Sequence, residues 1–181
     1  MRLLSNGNRP YHWGPFPLEV LARDDAVAVT EVGRPRRGAD VPRAAGPQFG
    51  QSLRYYRDIF ARAADGDVAP ERAPGTDDPD RCAIDIKGAS YFLDAAQVGI
   101  CEIPETAWRE GATPLPHTHA IVLLIEHPRV PSDEPLSAAW TGDHVVETAE
   151  MRGTEIAANI AGHIRLMGYG ARADLPGERR L

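Results

Sequence analysis

The 181-residue sequence predicts an α/β (α+β) fold, with a single mixed sheet flanked by helices. Residues 120–125 form an uninterrupted apolar run rich in β-branched side chains, which is typical of a central strand covered on both faces. From Asp143 to Met167 apolar residues recur at helical spacing, which predicts a long amphipathic helix. Gly168 is predicted to end this helix, and residues 169–173 to return to the sheet as a short strand.

The first 22 residues are predicted to form an extended arm, and residues 23–181 a single α/β domain. Prolines at positions 10, 15 and 17 preclude a regular helix or a central strand there. Tyr11, Trp13 and Phe16 lie between them and are costly to leave in water. We therefore expect the arm to lie over a folded body, either of this chain or of a partner.

Local patterns predict the elements between the arm and the central strand. Residues 27–32 resemble a short strand, and residues 49–64 have the apolar spacing of a helix. Residues 65–81 are rich in Pro, Gly and Asp and are predicted to be a surface loop. Residues 85–99 are predicted to form a helix that leads into an extended segment ending near Ile103, and a helical turn should follow before Trp108.

The long helix carries two further signals. Asp143 is a suitable N-cap, and Glu147 and Glu150 lie in the early turns, where carboxylates favour the positive end of the helix dipole. Glycine within a helix costs about 1 kcal/mol relative to alanine. The small residues of this helix therefore predict a close contact with a neighbouring element: Gly153, Ala157, Ala161 and Gly162.

The net charge of −6 and the pI near 5.5 argue against a nucleic-acid partner, which normally requires a basic surface. No apolar run approaches the ~20 residues that span a bilayer, and the N-terminus lacks the apolar segment of a signal peptide. The sequence therefore predicts a cytoplasmic location and no membrane partner.

Cys82 and Cys101 lie far apart in unlike contexts. Two thiols cannot supply the four ligands of an iron–sulfur cluster or of a structural zinc site. Both are expected to be small core residues, because neither lies in a recognisable nucleophile turn.

Histidines offer the one alternative site. His117 and His119 have the spacing that places two imidazoles on the same face of a strand, as in some zinc sites. A third ligand would have to come from His127, His144 or a carboxylate. The simpler interpretation is two polar residues at the entrance of a strand, so no metal site is assigned.

Two other polar groups have structural explanations. His163 is predicted to be a partly buried residue of the long helix rather than a catalytic base. Asp77, Asp78 and Asp80 lack the ligand alternation of a calcium loop, which favours a solvated loop.

Three blocks of the sequence, residues 87–102, 119–126 and 158–173, resemble the corrinoid-dependent iron–sulfur reductases. This family comprises the reductive dehalogenases and the related epoxyqueuosine reductase. The first block resembles the segment in which a helix leads into a "VGI" strand, the second the following strand, and the third the long helix with its "LGY-ARA" return. The segment Arg9–Leu21 is most similar to the soluble, catabolic dehalogenases.

The resemblance implies cobalamin and 4Fe–4S clusters for the complete enzyme, in which low-valent cobalt removes a halide and the clusters supply electrons. In the family these groups are held by residues beyond the part that this chain resembles. No catalytic or metal-ligating residue is therefore assigned, and the cofactor-binding residues are unknown. Tyr91 and Tyr169 match structural positions of the family and not its proton donor.

Three function hypotheses remain. The first is an N-terminal module or subunit of a reductive dehalogenase, whose corrinoid and iron–sulfur half is carried by a second polypeptide. The second is a non-catalytic binding or scaffold protein that keeps only the fold. The third is a metal enzyme that uses His117 and His119. The sequence stops where the family continues, which is expected of a split or truncated enzyme, a degenerate stand-alone module or an interrupted reading frame.

Overall fold

The computed structural model describes six parts of the chain: residues 25–32, 48–108, 111, 115–128, 141 and 144–175. The chain divides into two compact units, Met1–Ala45 and Gly46–Leu181. The predicted arm, residues 1–22, lies outside the described residues, so its separation from a domain over residues 23–181 stays a prediction.

The first unit contains one described element, helix α1. It covers Asp25–Val32, where the sequence predicted a strand over residues 27–32, and that prediction is wrong. The Thr30 hydroxyl donates a hydrogen bond to the Ala26 carbonyl, 2.8 Å away and one helical turn earlier. This local bond offers the β-branched residue a partner within a helix, which a propensity argument overlooks.

The second unit contains three helices, two strands and a short 3₁₀ turn among its described residues. In chain order they are α2 (Gln48–Ala61), α3 (Pro79–Phe92), β1 (Gln97–Glu102), the 3₁₀ turn Glu105–Ala107, β2 (His119–Leu124) and α4 (Val145–Leu166). The predicted α/β class is confirmed, as are the predicted helices that correspond to α2, α3 and α4. No described helix is both long enough and apolar enough to cross a bilayer.

The sheet pairs β1 with β2 in antiparallel orientation, with Gly99 opposite Val122 and Ile100 opposite Ile121. The prediction that the strand at 120–125 is central and covered on both faces is wrong for the described residues. There β2 has β1 as its one neighbour, and Val122 remains 58% exposed. An apolar run records that a strand favours burial but does not reveal what covers each face.

The predicted return strand at residues 169–173 forms no strand in the structure. Its backbone instead passes the end of α2, where the Ala173 amide donates to the Ala64 carbonyl at 2.9 Å. Ala64, Ala161, Ala173 and Leu175 form a small buried cluster at this point. Side-chain burial and this backbone hydrogen bond, rather than a β-ladder, therefore hold the segment.

Helix α4 packs against α2. Ile156 and Ile160 of the predicted apolar face are 3% and 4% exposed, which confirms that face. A Cβ at Gly153 would lie 3.3 Å from the Ile125 side chain, so the small residue does permit a close contact. The described helix begins at Val145 after His144, which caps it without a side-chain hydrogen bond, and Asp143 lies outside the described residues.

Helix α3 begins six residues before the predicted start at Asp85. Pro79 occupies its first turn, and the Asp78 carboxylate accepts hydrogen bonds from the amides of Asp80 and Arg81 at 3.1 Å. Asp78 is therefore a helix cap, the role that carboxylates commonly have immediately before a proline-led helix.

Gly168 ends α4, as predicted, with a φ of +87°. A Cβ on this residue would lie 2.6 Å from the Glu71 carbonyl oxygen and 2.9 Å from the Arg72 Cα. The left-handed conformation of Gly168 and the close approach of the backbone at residues 71–72 therefore both require glycine here.

Replacing Gly168 with alanine should lower the free energy of unfolding by about 2 kcal/mol, since the left-handed conformation and the contact with backbone both oppose a methyl group. Urea denaturation of the chain measures this change. Gly88→Ala is the matched control, because Gly88 lies in α3 with no atom within 4 Å of an added Cβ. That control should be neutral or stabilising. Equal effects of the two substitutions would contradict the role of Gly168.

Candidate functional site

A cavity of about 900 Å³ lies between one face of the sheet and helices α3 and α4. The strand register creates its first wall, because directly paired residues of an antiparallel sheet share a face. Ile100, Ile121 and Leu123 line that wall, and Ile160 and Ile164 line the wall that α4 supplies. Its size is that of a pocket for a drug-sized organic molecule, ~300–1,000 Å³.

Three imidazoles, His117, His119 and His127, contribute to the lining of the cavity. The His119 Nδ1 lies 2.9 Å from the hydroxyl of Thr118, so the nearest polar partner of this ring is a neighbour in sequence. Glu150 of α4 also contributes to the lining. The structure thus places the predicted pair His117 and His119 at an apolar cavity with few polar groups.

The histidine pair does not acquire the third ligand that a metal centre needs. Within the described ranges, no three His, Cys, Asp or Glu side chains come together as metal ligands. His144, one of the candidate third ligands, lies instead against Phe49 of α2, with ring centroids 6.1 Å apart. The metal-enzyme hypothesis therefore gains no support from this part of the chain.

Arg165, in the last turn of α4, is a buried cation whose burial no sequence pattern predicted. It is 7% exposed, and its guanidinium donates to three backbone carbonyls: Ala63 at 3.0 Å, Ala64 at 3.3 Å and Ala171 at 2.9 Å. Residues 63 and 64 lie just beyond the C-terminal end of α2, where the negative end of the helix dipole favours a cation. Arg165 therefore connects the end of α2, the end of α4 and the segment after α4.

A second buried polar cluster lies between α2 and α4. His144 is 1% exposed and its Nδ1 lies 3.9 Å from the Glu147 carboxylate, which is 4% exposed and 4.0 Å from the Arg54 guanidinium. Neither ring nitrogen of His144 has a hydrogen-bond partner among the residues that the structure describes. From the sequence, Glu147 was expected only to favour the helix dipole. The spacing of residues along α4 does not reveal that Arg54 of α2 lies beside it.

The cysteines and His163 differ from their predicted environments. Cys82 is half-buried and its thiol lies 3.6 Å from the Thr76 carbonyl, whereas Cys101 is exposed on β1. The prediction of a core position is therefore wrong for Cys101. His163 is also exposed, although it lies three residues after Ile160 and seven after Ile156, on the same side of α4 as these buried residues. These two thiols, on different elements, do not fit an iron–sulfur cluster, which needs four.

Tyr91 and Tyr169, the two tyrosines at positions that match the family, both contribute to packing within the chain. Tyr91 is 9% exposed in the core. The Tyr169 hydroxyl lies 3.1 Å from the Thr76 carbonyl and 3.0 Å from its hydroxyl, and Arg72 lies over the Tyr169 ring at 4.8 Å from the centroid. Tyr169 thus fastens the segment after α4 to the loop before α3.

Solved structures of reductive dehalogenases are similar to this chain. One, described as suggesting a mechanism for B12-dependent dehalogenation, is 37% identical over 95% of this chain, with a TM-score of 0.70. The catabolic reductive dehalogenase NpRdhA, in complex with 3-bromo-4-hydroxybenzoic acid, is 35% identical over 100% of it, with a TM-score of 0.72. A variant of NpRdhA is 37% identical over 95%, with a TM-score of 0.69.

This chain spans about a quarter of the length of those enzymes, 24% in two of them and 25% in the third. No protein-family model and no curated protein sequence matches it. The similarity to the solved structures extends over nearly all of its residues at more than a third identity. The chain is therefore related to the reductive dehalogenases and has a reductive-dehalogenase-like fold.

Proposed function

We propose that this chain is one module of a reductive-dehalogenase-like enzyme, which removes a halide reductively from an organohalide. The observation that carries the proposal is the combination of 35–37% identity over 95–100% of this chain with coverage of only 24–25% of the related enzymes.

The redox groups of such an enzyme belong to the rest of it. Two thiols that lie on different elements cannot hold a 4Fe–4S cluster. The cavity has the size of a site for a drug-sized molecule, and cobalamin with its nucleotide tail is considerably larger than that. Among the described residues the cavity is too small to enclose cobalamin and the thiols are too few for a cluster, so no chemical step is assigned to this chain.

This module contributes an apolar structural support to the complete enzyme. Helices α2 and α4 pack together through buried residues, and Arg165 fixes the ends of both helices to the following segment. The cavity on the other side of α4 is lined by apolar groups from the strands and the helix. We expect this module to shape one boundary of the complete enzyme, while the corrinoid and the clusters act elsewhere.

Co-expression tests the proposal. The probe is the three quarters of NpRdhA that this chain does not match, produced as a separate polypeptide and called here the complementary portion. We expect the two to purify as a 1:1 complex with the absorbance of bound cobalamin. That complex should release bromide from 3-bromo-4-hydroxybenzoic acid in the presence of a low-potential electron donor.

This chain alone is the control. Added cobalamin should leave its spectrum unchanged, and no halide should be released. Two results would contradict the proposal: halide release or an iron–sulfur signal in electron paramagnetic resonance from this chain alone, or failure of the two polypeptides to associate.

A further inference from the structure

The outer face of the sheet, opposite the cavity, is apolar and open. It is formed by the paired positions Gly99 with Val122 and Gln97 with Leu124, and by Cys101, whose partner Ala120 borders the cavity. Val122 and Leu124 are 58% and 56% exposed, and Gly99 and Cys101 are exposed as well. The opposite face of the sheet lies towards α3 and α4, whereas the apolar side chains on this face gain nothing from burial while they stay in water.

Gly99 gives a second, independent indication that something covers this face. Glycine in the interior of a strand weakens it, and it often marks a point where another backbone approaches closely. The φ of Gly99 is not in the left-handed region, and a Cβ there would meet no atom within 4 Å. Neither its conformation nor its packing against the described residues therefore requires glycine at this position.

The related enzymes indicate the occupant. Nearly all of this chain corresponds to a segment of enzymes that contain about three times as many additional residues. From these observations we infer that the outer face of the sheet is the docking surface for the complementary portion. An apolar segment of that portion lies across Val122 and Leu124, and its backbone approaches the sheet at Gly99. This inference rests on the proposed function and names the surface through which the module acts.

The thiol of Cys101 is a built-in reporter of this contact, because it lies on the outer face and is exposed. The experiment measures the rate of modification by N-ethylmaleimide, with mass spectrometry of the peptide that contains Cys101. In the co-purified complex this rate should be at least tenfold lower than in this chain alone. Cys82 serves as the internal reference, since its half-buried thiol lies on α3 and should react at similar rates in both samples.

Two substitutions test the surface independently of the thiol. Gly99→Val adds a β-branched side chain into open space, so the melting temperature of this chain alone should stay constant or rise. Val122→Lys places a charge at a residue that is already 58% exposed. Each should weaken association with the complementary portion at least tenfold. Val68→Lys is the matched control, because Val68 is 44% exposed in the loop between α2 and α3, and this variant should associate normally.

The outcomes separate this inference from the proposed function. Protection of Cys101 together with weakened association of both variants supports the docking surface. If the wild-type complex forms while Cys101 reacts at the rate of the free chain and both variants associate normally, the docking surface is wrong and the module function stands. If the wild-type chain does not associate at all, the module function fails and the docking surface fails with it.

Discussion

Replacing Arg165 with alanine should lower the free energy of unfolding by about 3–4 kcal/mol, one of the two largest effects that we expect from a single substitution. The side chain is 7% exposed and donates to three carbonyl groups from two separate segments. Hydrogen bonds from a charged donor contribute more than neutral ones, and the truncation also removes a buried aliphatic stem.

Two further variants resolve the origin of the loss. Arg165→Met keeps most of the stem but removes every donor, so it isolates the hydrogen bonds. Arg165→Lys keeps the charge but lacks the planar fork that reaches several carbonyls at once, and it should recover less than half of the stability. Arg81→Ala is the matched control on α3, where the side chain is 75% exposed and 3.8 Å from Asp85. It should change stability by less than about 1 kcal/mol.

Urea denaturation followed by circular dichroism measures these differences. A loss for Arg165→Ala no larger than that for Arg81→Ala would mean that the three carbonyl bonds do not hold the ends of α2 and α4 together. The packing of the alanine cluster would then have to account for the position of the segment after α4.

Local periodicity predicted the parts of this fold whose environment is set within one element. The apolar positions of α4 repeat over 22 residues, and its end at Gly168 follows from the conformational freedom of glycine. The segment Gln97–Glu102 could be identified as a strand because it follows a helix end closely and is rich in small and β-branched residues. These signals are contained in short stretches of sequence.

The features that were missed depend on residues distant in sequence. The carbonyl partners of Arg165 at positions 63 and 64 are about a hundred residues away, so no spacing along α4 indicates its burial. The strand β2 was expected to be covered on both faces, because an apolar run does not distinguish a face buried within its own chain from one that another polypeptide covers. Helix α1 was missed because six residues give too little periodicity to distinguish helix from strand.

The candidate site shows the same division. The two histidines at 117 and 119 could be identified from sequence, but whether a third ligand reaches them depends on tertiary structure. The cavity itself is formed by side chains from α3, α4 and both strands, none of which has a catalytic signature. The resemblance of three blocks to the reductive dehalogenases therefore predicted more about function than any individual residue did, and the solved structures confirm that resemblance.

Replacing Ile160 with alanine should lower the free energy of unfolding by about 2–5 kcal/mol, since Ile160 is 4% exposed on the buried face of α4. The residue also lines the cavity, so the truncated side chain would enlarge a space that the surrounding residues cannot readily fill. Chemical denaturation of the purified chain measures the loss.

The control is Ile84→Ala, the same substitution on α3 at a residue that is 69% exposed, and its effect should be near zero. A loss below about 1 kcal/mol for Ile160→Ala would mean that α4 presents a different face to the core.

Ile160→Ala and Val122→Lys together distinguish the core of the module from its docking surface. Ile160 lies on the cavity side of the sheet and Val122 on the outer face, so Ile160→Ala should destabilise the chain without weakening its association, and Val122→Lys should do the reverse. Such opposite behaviour would separate the core of the module from its docking surface.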